Sequence, residues 1–459
     1  MQQLLGLLFG IFLARLLTPA DYGMVGMLSI FSLIASSLQE SGFTAALANR
    51  KEVRSEDYNA VFWFNIFCSG CLYMVLFLCA PLIAAFYQQP ELTKLARYTF
   101  LGFFISSSGI AHNAYLFRHL MVKQKAIAQV TAICLSGCVG VTLAYFGFAY
   151  WGIATQSLVY IAVLTSCYWY FSPWRPTFSF DFSPIRSMFG FSIKLVITNL
   201  FSNINHNFLS LILGRYYSET EVGYYNQATK WNSMGYLSIS GMINGVAQPV
   251  LAGVNDERER QLRIFRKMLR FAAFVSFPAM LGLGLVAEEL ITLAVTSKWL
   301  PSASLMQLLC LWGAFVPVIG LYQQLIISKG KSTLYMWNII ALGILLLSAV
   351  LLAHPYGIRT MLMLYVGIQI AWLLLWNYWV WREIGLTLWH TLLDILPYAS
   401  TAVTVMVAAH YLTLDWPDIC LRLAGKVGIA ASLYILIMWL SRSVTFKESI
   451  RYLRHIKKR

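Results

Sequence analysis

Acidic residues are scarce in this chain. Only 19 Asp and Glu stand among 459 residues, against 34 Lys and Arg, and charged residues together make up 12%. A soluble globular protein of this length carries about twice that fraction, so that class is excluded. The same scarcity weighs against a cation-coupled drug extruder, which needs carboxylates inside the membrane to hold its ions. Aqueous loops are scarce too. By the expected helix limits no external loop exceeds about ten residues, which disfavours a membrane enzyme that polymerises or ligates glycans. No Gly-rich phosphate cradle occurs, so ATP hydrolysis by this chain is not expected. No catalytic constellation, metal site or cofactor site is expected.

The eight cysteines do not change this. Cys68, Cys71, Cys79, Cys134, Cys138, Cys167 and Cys310 lie in apolar runs, and Cys420 lies near the end of one. Cys68 and Cys71 have CxxC spacing, but Ile66-Phe67 and Leu72-Tyr73 flank them and offer no polar partners for a metal or redox centre. Small buried thiols are the expectation. The net charge of +15 is no sign of nucleic acid, because the basic residues sit in alternate loops and not on one face.

What the chain has is apolar length. It is 59% hydrophobic, with a mean hydropathy of +0.65. Runs of about 20 residues, enough to cross a bilayer, follow one another with short polar breaks. The expectation is an all-α polytopic membrane protein of about 14 transmembrane helices. Pro19, Pro90, Gly152, Pro301, Pro355-Tyr356-Gly357 and Trp416-Pro417 punctuate the runs. Lys and Arg concentrate in one set of loops, among them Arg50, Lys51, Arg54, Arg118, Lys123, Lys125, Lys329, Lys331 and the tail from Arg442 to Arg459. The positive-inside rule makes this set cytoplasmic, with the C-terminus inside. The stretch Asn255 to Arg270, rich in Arg, is expected as a cytoplasmic connection that docks on anionic headgroups. No basic n-region and no small-residue cleavage site is visible, so no signal peptide is expected.

A repeat organises the spans. Leu13-Ala14-Arg15-Leu16-Leu17-Thr18-Pro19-Ala20-Asp21-Tyr22-Gly23 is echoed by Leu213-Gly214-Arg215-Tyr216-Tyr217-Ser218-Glu219-Thr220-Glu221-Val222-Gly223. Lys123-Gln124-Lys125 then matches Lys329-Gly330-Lys331, and Trp151-Gly152-Ile153 matches Tyr356-Gly357-Ile358. Matches in register predict a duplicated bundle: two pseudo-symmetric six-helix lobes at 1–171 and 187–381. A cytoplasmic linker at 172–186 joins them, and two extra C-terminal helices with a basic tail fill 382–459. The register sets Met1 opposite Phe201, in mid-helix, so either the first helix is short or its start has been read too late; the second is expected.

Polar residues inside spans mark the candidate site. Asn199, Asn203, His206 and Ser210 step along one helix face, with Ser202, Asn205 and Asn207 beside them and Lys194 a turn or two earlier. Asn226, Lys230, Ser233, Ser240, Asn244 and Gln248 form a second stripe, and Ser29, Ser32, Ser36, Glu40 and Thr44 a third. Unpaired polar groups facing lipid cost several kcal/mol each, so these faces meet water, cargo or another helix. A lysine at mid-span costs about 2.5–3.5 kcal/mol, so Lys230 is expected in a hydrated cavity or beside an acid. Interhelical hydrogen-bond seams are the alternative for the stripes, and snorkelling is the alternative for Arg15, Arg215 and Lys194. Tyr224 and Tyr225 read as interface belt, and Glu288, Glu289, Asp394 and Lys426 as interfacial or packing charges.

The run Gly10-Ile11-Phe12-Leu13-Ala14-Arg15-Leu16-Leu17-Thr18-Pro19-Ala20-Asp21-Tyr22-Gly23 resembles the first-helix signature of Wzx-type O-antigen and colanic-acid exporters. These form the polysaccharide transporter branch of the multidrug/oligosaccharidyl-lipid/polysaccharide flippase superfamily. Ser41-Gly42-Phe43-Thr44-Ala45-Ala46-Leu47 and Gly223-Tyr224-Tyr225-Asn226-Gln227-Ala228 extend the likeness. Family members usually carry a few basic and polar residues before the first span, which this chain lacks.

The resemblance implies a bacterial inner-membrane protein, not an enzyme. It would move undecaprenyl-diphosphate-linked oligosaccharide between leaflets by alternating access. Glycan polymerases and glycosyltransferases are its implied partners. Asn199, Asn203, Asn207, Asn226 and Asn244 would then meet sugar, and Lys194, Lys230, Arg15 and Arg215 the diphosphate. His206 and Glu40 are the first candidates for coupling to H+ or Na+. The rivals are a multidrug extruder and a lipid-linked peptidoglycan precursor flippase of the same superfamily.

Overall fold

The structure is a computed structural model that describes residues 2–40, 53–181, 185, 200–201, 203–205, 207–255, 257–441, 443 and 445–448. Among these residues there is no strand. Nine helical stretches among the described residues are long and apolar enough to cross a membrane, and the all-α polytopic reading stands. The helices Leu92–Arg118 and Glu219–Ala252, with 27 and 34 residues, are also long enough, but Ser, Asn and charged residues dilute their hydropathy.

By contacts the chain forms two compact units, Met1–Asn226 and Gln227–Arg459. In the first, α1 (Gln2–Leu16) is followed by α2 (Pro19–Glu40), α3 (Ser55–Tyr87), α4 (Leu92–Arg118), α5 (Val122–Tyr145) and α6 (Tyr150–Phe171). Then come α7 (207–216) and the start of α8 (Glu219–Ala252). Fifteen residues give α1 a rise of about 22 Å, short of the roughly 30 Å hydrocarbon layer.

Helix α3 pairs with α4, α5 with α6, and α4 with α6. Tyr58, Phe62, Trp169 and Trp174 close around His112, which is fully buried and stacked on Trp169 at 4.2 Å. The described part of the expected linker is held down, not free. Asn59 donates to the Ser179 carbonyl at 2.6 Å and accepts from the Thr177 N–H at 2.9 Å, while the Trp63 indole donates to the Thr177 carbonyl at 2.8 Å. An amide on α3 thus supplies the hydrogen bonds that an irregular segment lacks.

The second unit contains the rest of α8, then α9 (Arg258–Leu285), α10 (Ala287–Val295), α11 (Leu300–Ser328), α12 (Ser332–Ala353), α13 (Ile358–Ala371), α14 (Leu373–Ile384), α15 (Leu388–Leu412) and α16 (Ile419–Leu440). The basic stretch expected as a connection is helical from Arg258. Acids interleave with its arginines, as in the Arg260–Glu257 pair at 2.9 Å, so repulsion does not unwind it. The helix that starts at Arg258 breaks at Val286, just after Gly282 and Gly284, where helix propensity is low.

Helix α9 packs against both α11 and α15. The two C-terminal helices are tied to this unit by charge. Arg266 on α9 binds Asp394 on α15 through two nitrogens, at 2.6 and 3.1 Å. Lys426 on α16 pairs with Glu289 on α10 at 2.6 Å, with both side chains buried. The packing reading of Glu289, Asp394 and Lys426 therefore holds.

Candidate functional site

The two copies of the repeated motif build the same local structure. Thr18 caps α2: the Asp21 N–H donates to its hydroxyl at 3.3 Å, and the Asp21 carboxylate accepts from the Thr18 N–H at 2.8 Å. Ser218 caps α8 in the same way, accepting from the Glu221 N–H at 3.3 Å. Both are the Ser/Thr-x-x-acid arrangement that satisfies the free N–H groups of a helix start. Of the acidic residues of the repeat, legible in the sequence, Asp21 is thus used as part of a helix cap.

The two starts also touch. A Cβ added to Gly23 would lie 1.7 Å from the Glu219 carbonyl oxygen, and one added to Gly223 would lie 1.9 Å from the Pro19 carbonyl oxygen. The relation is reciprocal: each glycine meets the first helical residue of the other copy. Three residues on, Gly26 lies against the Asn226 side chain. Backbone contact this close needs a residue without a side chain on each helix. Glu219 is further held by the Gln89 amide at 3.1 Å, and Tyr87 donates to the Met27 carbonyl at 2.9 Å.

Asn203 and Asn226 belong to this same region. Asn203 donates to the Ser37 hydroxyl of α2 at 2.7 Å, and Asn226 accepts from the Ser210 hydroxyl of α7 at 2.9 Å. These are interhelical seams, as one of the two readings expected. Asn207 instead donates to the Asn203 carbonyl of its own helix. Arg15 is exposed at the end of α1. Arg215 donates to the Phe86 carbonyl at 2.8 Å and lies over the Phe86 ring, so it closes the end of α3. Lys194, Asn199, His206 and the side chain of Glu40 lie outside the described residues.

The remaining candidates sit on α8 within the second unit. Lys230 is half-buried and makes no ion pair with any described residue. Ser233 satisfies its hydroxyl on the Lys230 carbonyl. Asn244 lies against Gly320 of α11, and its Oδ1 has no donor among the described residues.

The sequence reading missed Asn232. It is fully buried, lies against Gly313 of α11 and Met280 of α9, and neither atom of its amide has a partner among the described residues. Its position one residue before Ser233, about 100° around the helix from the expected stripe, hid it, because the 3.6-residue period assigns it to the packed side. Among the described residues no group of His, Cys, Asp and Glu is gathered that holds a metal ion.

Residues 12–304, which include both motif copies and all of α8, match a family described as "Polysaccharide biosynthesis protein". The chain belongs to this family. It is similar to the teichuronic acid biosynthesis protein TuaB of Bacillus subtilis (strain 168), 24% identical over 347 residues, covering 73% of this chain and 69% of the relative. It is equally similar to the lipopolysaccharide biosynthesis protein WzxC of Escherichia coli (strain K12), 24% identical over 333 residues, covering 71% and 67%. The Wzx-type likeness of the Gly10–Gly23 run agrees with this membership. Among solved structures, the lipid II flippase MurJ in its inward closed conformation aligns over 95% of this chain and 97% of its own, with a TM-score of 0.77 at 13% identity. At that identity the likeness is one of fold. This family member is thus a polytopic helical membrane protein of polysaccharide biosynthesis with a transporter's fold.

Proposed function

We propose that the protein is a flippase for undecaprenyl-diphosphate-linked oligosaccharide in the bacterial inner membrane, that its two repeat lobes (1–171 and 187–381, joined by 172–186) alternate access, and that it performs no catalysis. The carrying observation is Lys230: a half-buried cation on the polar stripe of a membrane helix, with no carboxylate beside it among the described residues. An uncompensated cation at membrane depth is costly unless a hydrated anion neutralises it, and a diphosphate does so. Asn244 and Asn232, on the same helix and with amide atoms that lack a partner among the described residues, supply hydrogen bonds for sugar hydroxyls.

The capped starts of α2 and α8 lie against each other within the first unit, Gly23 on Glu219 and Gly223 on Pro19. Lys194, Asn199 and His206 extend the polar lining, and His206 and Glu40 are the groups to examine for H+ or Na+ coupling. Partners are the lipid-linked glycan, membrane lipid, and the glycosyltransferases and polymerase on either side of translocation. No cofactor is needed. The C-terminus is placed in the cytoplasm by the loop charges.

The test is export of the lipid-linked glycan in cells carrying Lys230→Ala, Lys194→Ala or Lys230→Arg, each checked for normal membrane insertion. Export falls at least about tenfold in Lys230→Ala, the loss of one charge-assisted contact, and is retained in Lys230→Arg. Unchanged export in both alanine variants removes the cationic site.

A further inference from the structure

At one end of α12 and α14 the second unit carries a cleft of about 640 Å³, lined by Lys331, Thr333, Leu334, Trp379, Arg382 and Glu383. Its charges have a definite arrangement. Lys331 pairs with one carboxylate oxygen of Glu383, whose side chain is only 15% exposed. Arg382 is exposed and lies over the Trp379 ring at 5.9 Å from its centre. The Trp379 indole N–H has no acceptor among the described residues. The cleft therefore offers two cations and a carboxylate with an oxygen to spare.

Below the cleft the surface is apolar. Leu334, Trp337, Ala341 and Ile344 step by three and four residues down one side of α12, and Trp337 and Ile344 are 60% and 62% exposed. In a membrane-spanning stretch such a stripe lies against acyl chains. Polar groups sit at the top and a lipid-facing stripe runs beneath, which is the layout of a phospholipid.

The first repeat shows that the arrangement is not a by-product of duplication. The register that pairs Trp151-Gly152-Ile153 with Tyr356-Gly357-Ile358 sets Trp174 opposite Trp379, and Thr177 and Phe178 opposite Arg382 and Glu383. Trp174 is buried and donates to the Ser55 hydroxyl at 3.1 Å, so its N–H is used. Lys331 has its counterpart in Lys125, whereas the charges of Arg382 and Glu383 belong to the second repeat alone.

We propose that this cleft is a headgroup site for phosphatidylethanolamine. The phosphate takes Arg382 and Lys331, and the ammonium donates to the oxygen of Glu383 that Lys331 leaves unused. An anionic glycerol headgroup offers Glu383 only neutral hydroxyls. A choline headgroup has no N–H to donate. Recognition of a carboxylate-binding ammonium beside a cation-binding phosphate is thus what selects one lipid among the three. The inference does not depend on the cargo proposed above.

The test uses the full chain in nanodiscs holding equal parts of phosphatidylethanolamine, phosphatidylglycerol and phosphatidylcholine with identical acyl chains. Lipids retained on release are counted by native mass spectrometry. The wild type retains phosphatidylethanolamine over each competitor by about two- to fivefold, the factor a partly exposed charge contact supplies. Glu383→Gln brings that ratio to near one. Arg382→Gln leaves the Lys331–Glu383 pair intact, so the fold is undisturbed and the melting temperature unchanged, yet it lowers retention of phosphatidylethanolamine. A wild type without preference, a Glu383→Gln ratio equal to wild type, or undiminished retention in Arg382→Gln overturns the proposal.

Discussion

Gly23 lies against the backbone of Glu219 so closely that a Cβ would come within 1.7 Å of its carbonyl oxygen, and Gly223 stands in the same relation to Pro19 at 1.9 Å. Two copies of one sequence motif, far apart in the chain, meet through equivalent residues. The contact is between backbones, so no small shift of a side chain can relieve an added atom.

Gly23→Ala and Gly223→Ala should each lower the thermal midpoint of the detergent-purified protein, by an amount equivalent to about 1–3 kcal/mol of overpacking. Gly6→Ala is the control, because nothing lies within 4 Å of a Cβ there. Scanning fluorimetry that finds Gly23→Ala as stable as Gly6→Ala would contradict the backbone contact.

The caps make a separate forecast. Thr18→Ala and Ser218→Ala should each cost about 1 kcal/mol, and Thr18→Ser almost nothing, because the hydroxyl and not the methyl accepts from the third residue of the helix. Denaturant or thermal melts of the three variants, compared side by side, check this. A Thr18→Ser loss as large as that of Thr18→Ala would show that the methyl group matters more.

Lys426 and Glu289 form a buried pair. Lys426→Met alone leaves a carboxylate without its main partner and should cost about 3–5 kcal/mol, while Lys426→Met with Glu289→Leu should recover most of that loss. A double-mutant cycle read by thermal midpoint decides it. Additive losses would mean that the two side chains do not interact.

Asn232→Leu replaces two unpaired buried polar atoms by a side chain of similar size. Such an exchange is neutral or stabilising by up to about 3 kcal/mol, so the melting temperature should hold or rise. Export of the lipid-linked glycan should fall, since the amide's free groups are the reason to keep it. Export at the wild-type level would leave Asn232 a packing residue.

Several features were readable from residues alone. The unusual hydropathy and the sparse charge settled the polytopic helical class, because a bilayer accepts only segments that satisfy their own backbone. The repeat at Leu13–Gly23 and Leu213–Gly223 predicted two equivalent helix turns, and both are present with matching caps. The polar stripe on α8 was visible from its period, and so was the outlying lysine. Asn203 and Arg215 were harder. A period identifies the face on which a residue lies but not what that face meets, and here the faces meet Ser37 and the Phe86 carbonyl. The helix at Arg258 was hidden for a different reason: its charges looked like a loop, and their partners, Glu257 for Arg260 and Asp394 of α15 for Arg266 and Arg270, were seen only in the structure.

By itself the sequence determined the solvent of this protein, the direction of its chain periodicities and the existence of a duplicated motif, since all three depend on residue type and local spacing. Tertiary structure alone decided that Gly23 abuts Glu219 and Gly223 abuts Pro19, that Glu289 and Asp394 are bound by Lys426 and Arg266, and that among the described residues Lys230 has no carboxylate partner and Asn232 no hydrogen-bond partner. Those outcomes depend on which distant segments come within bonding distance, and local spacing carries no record of that.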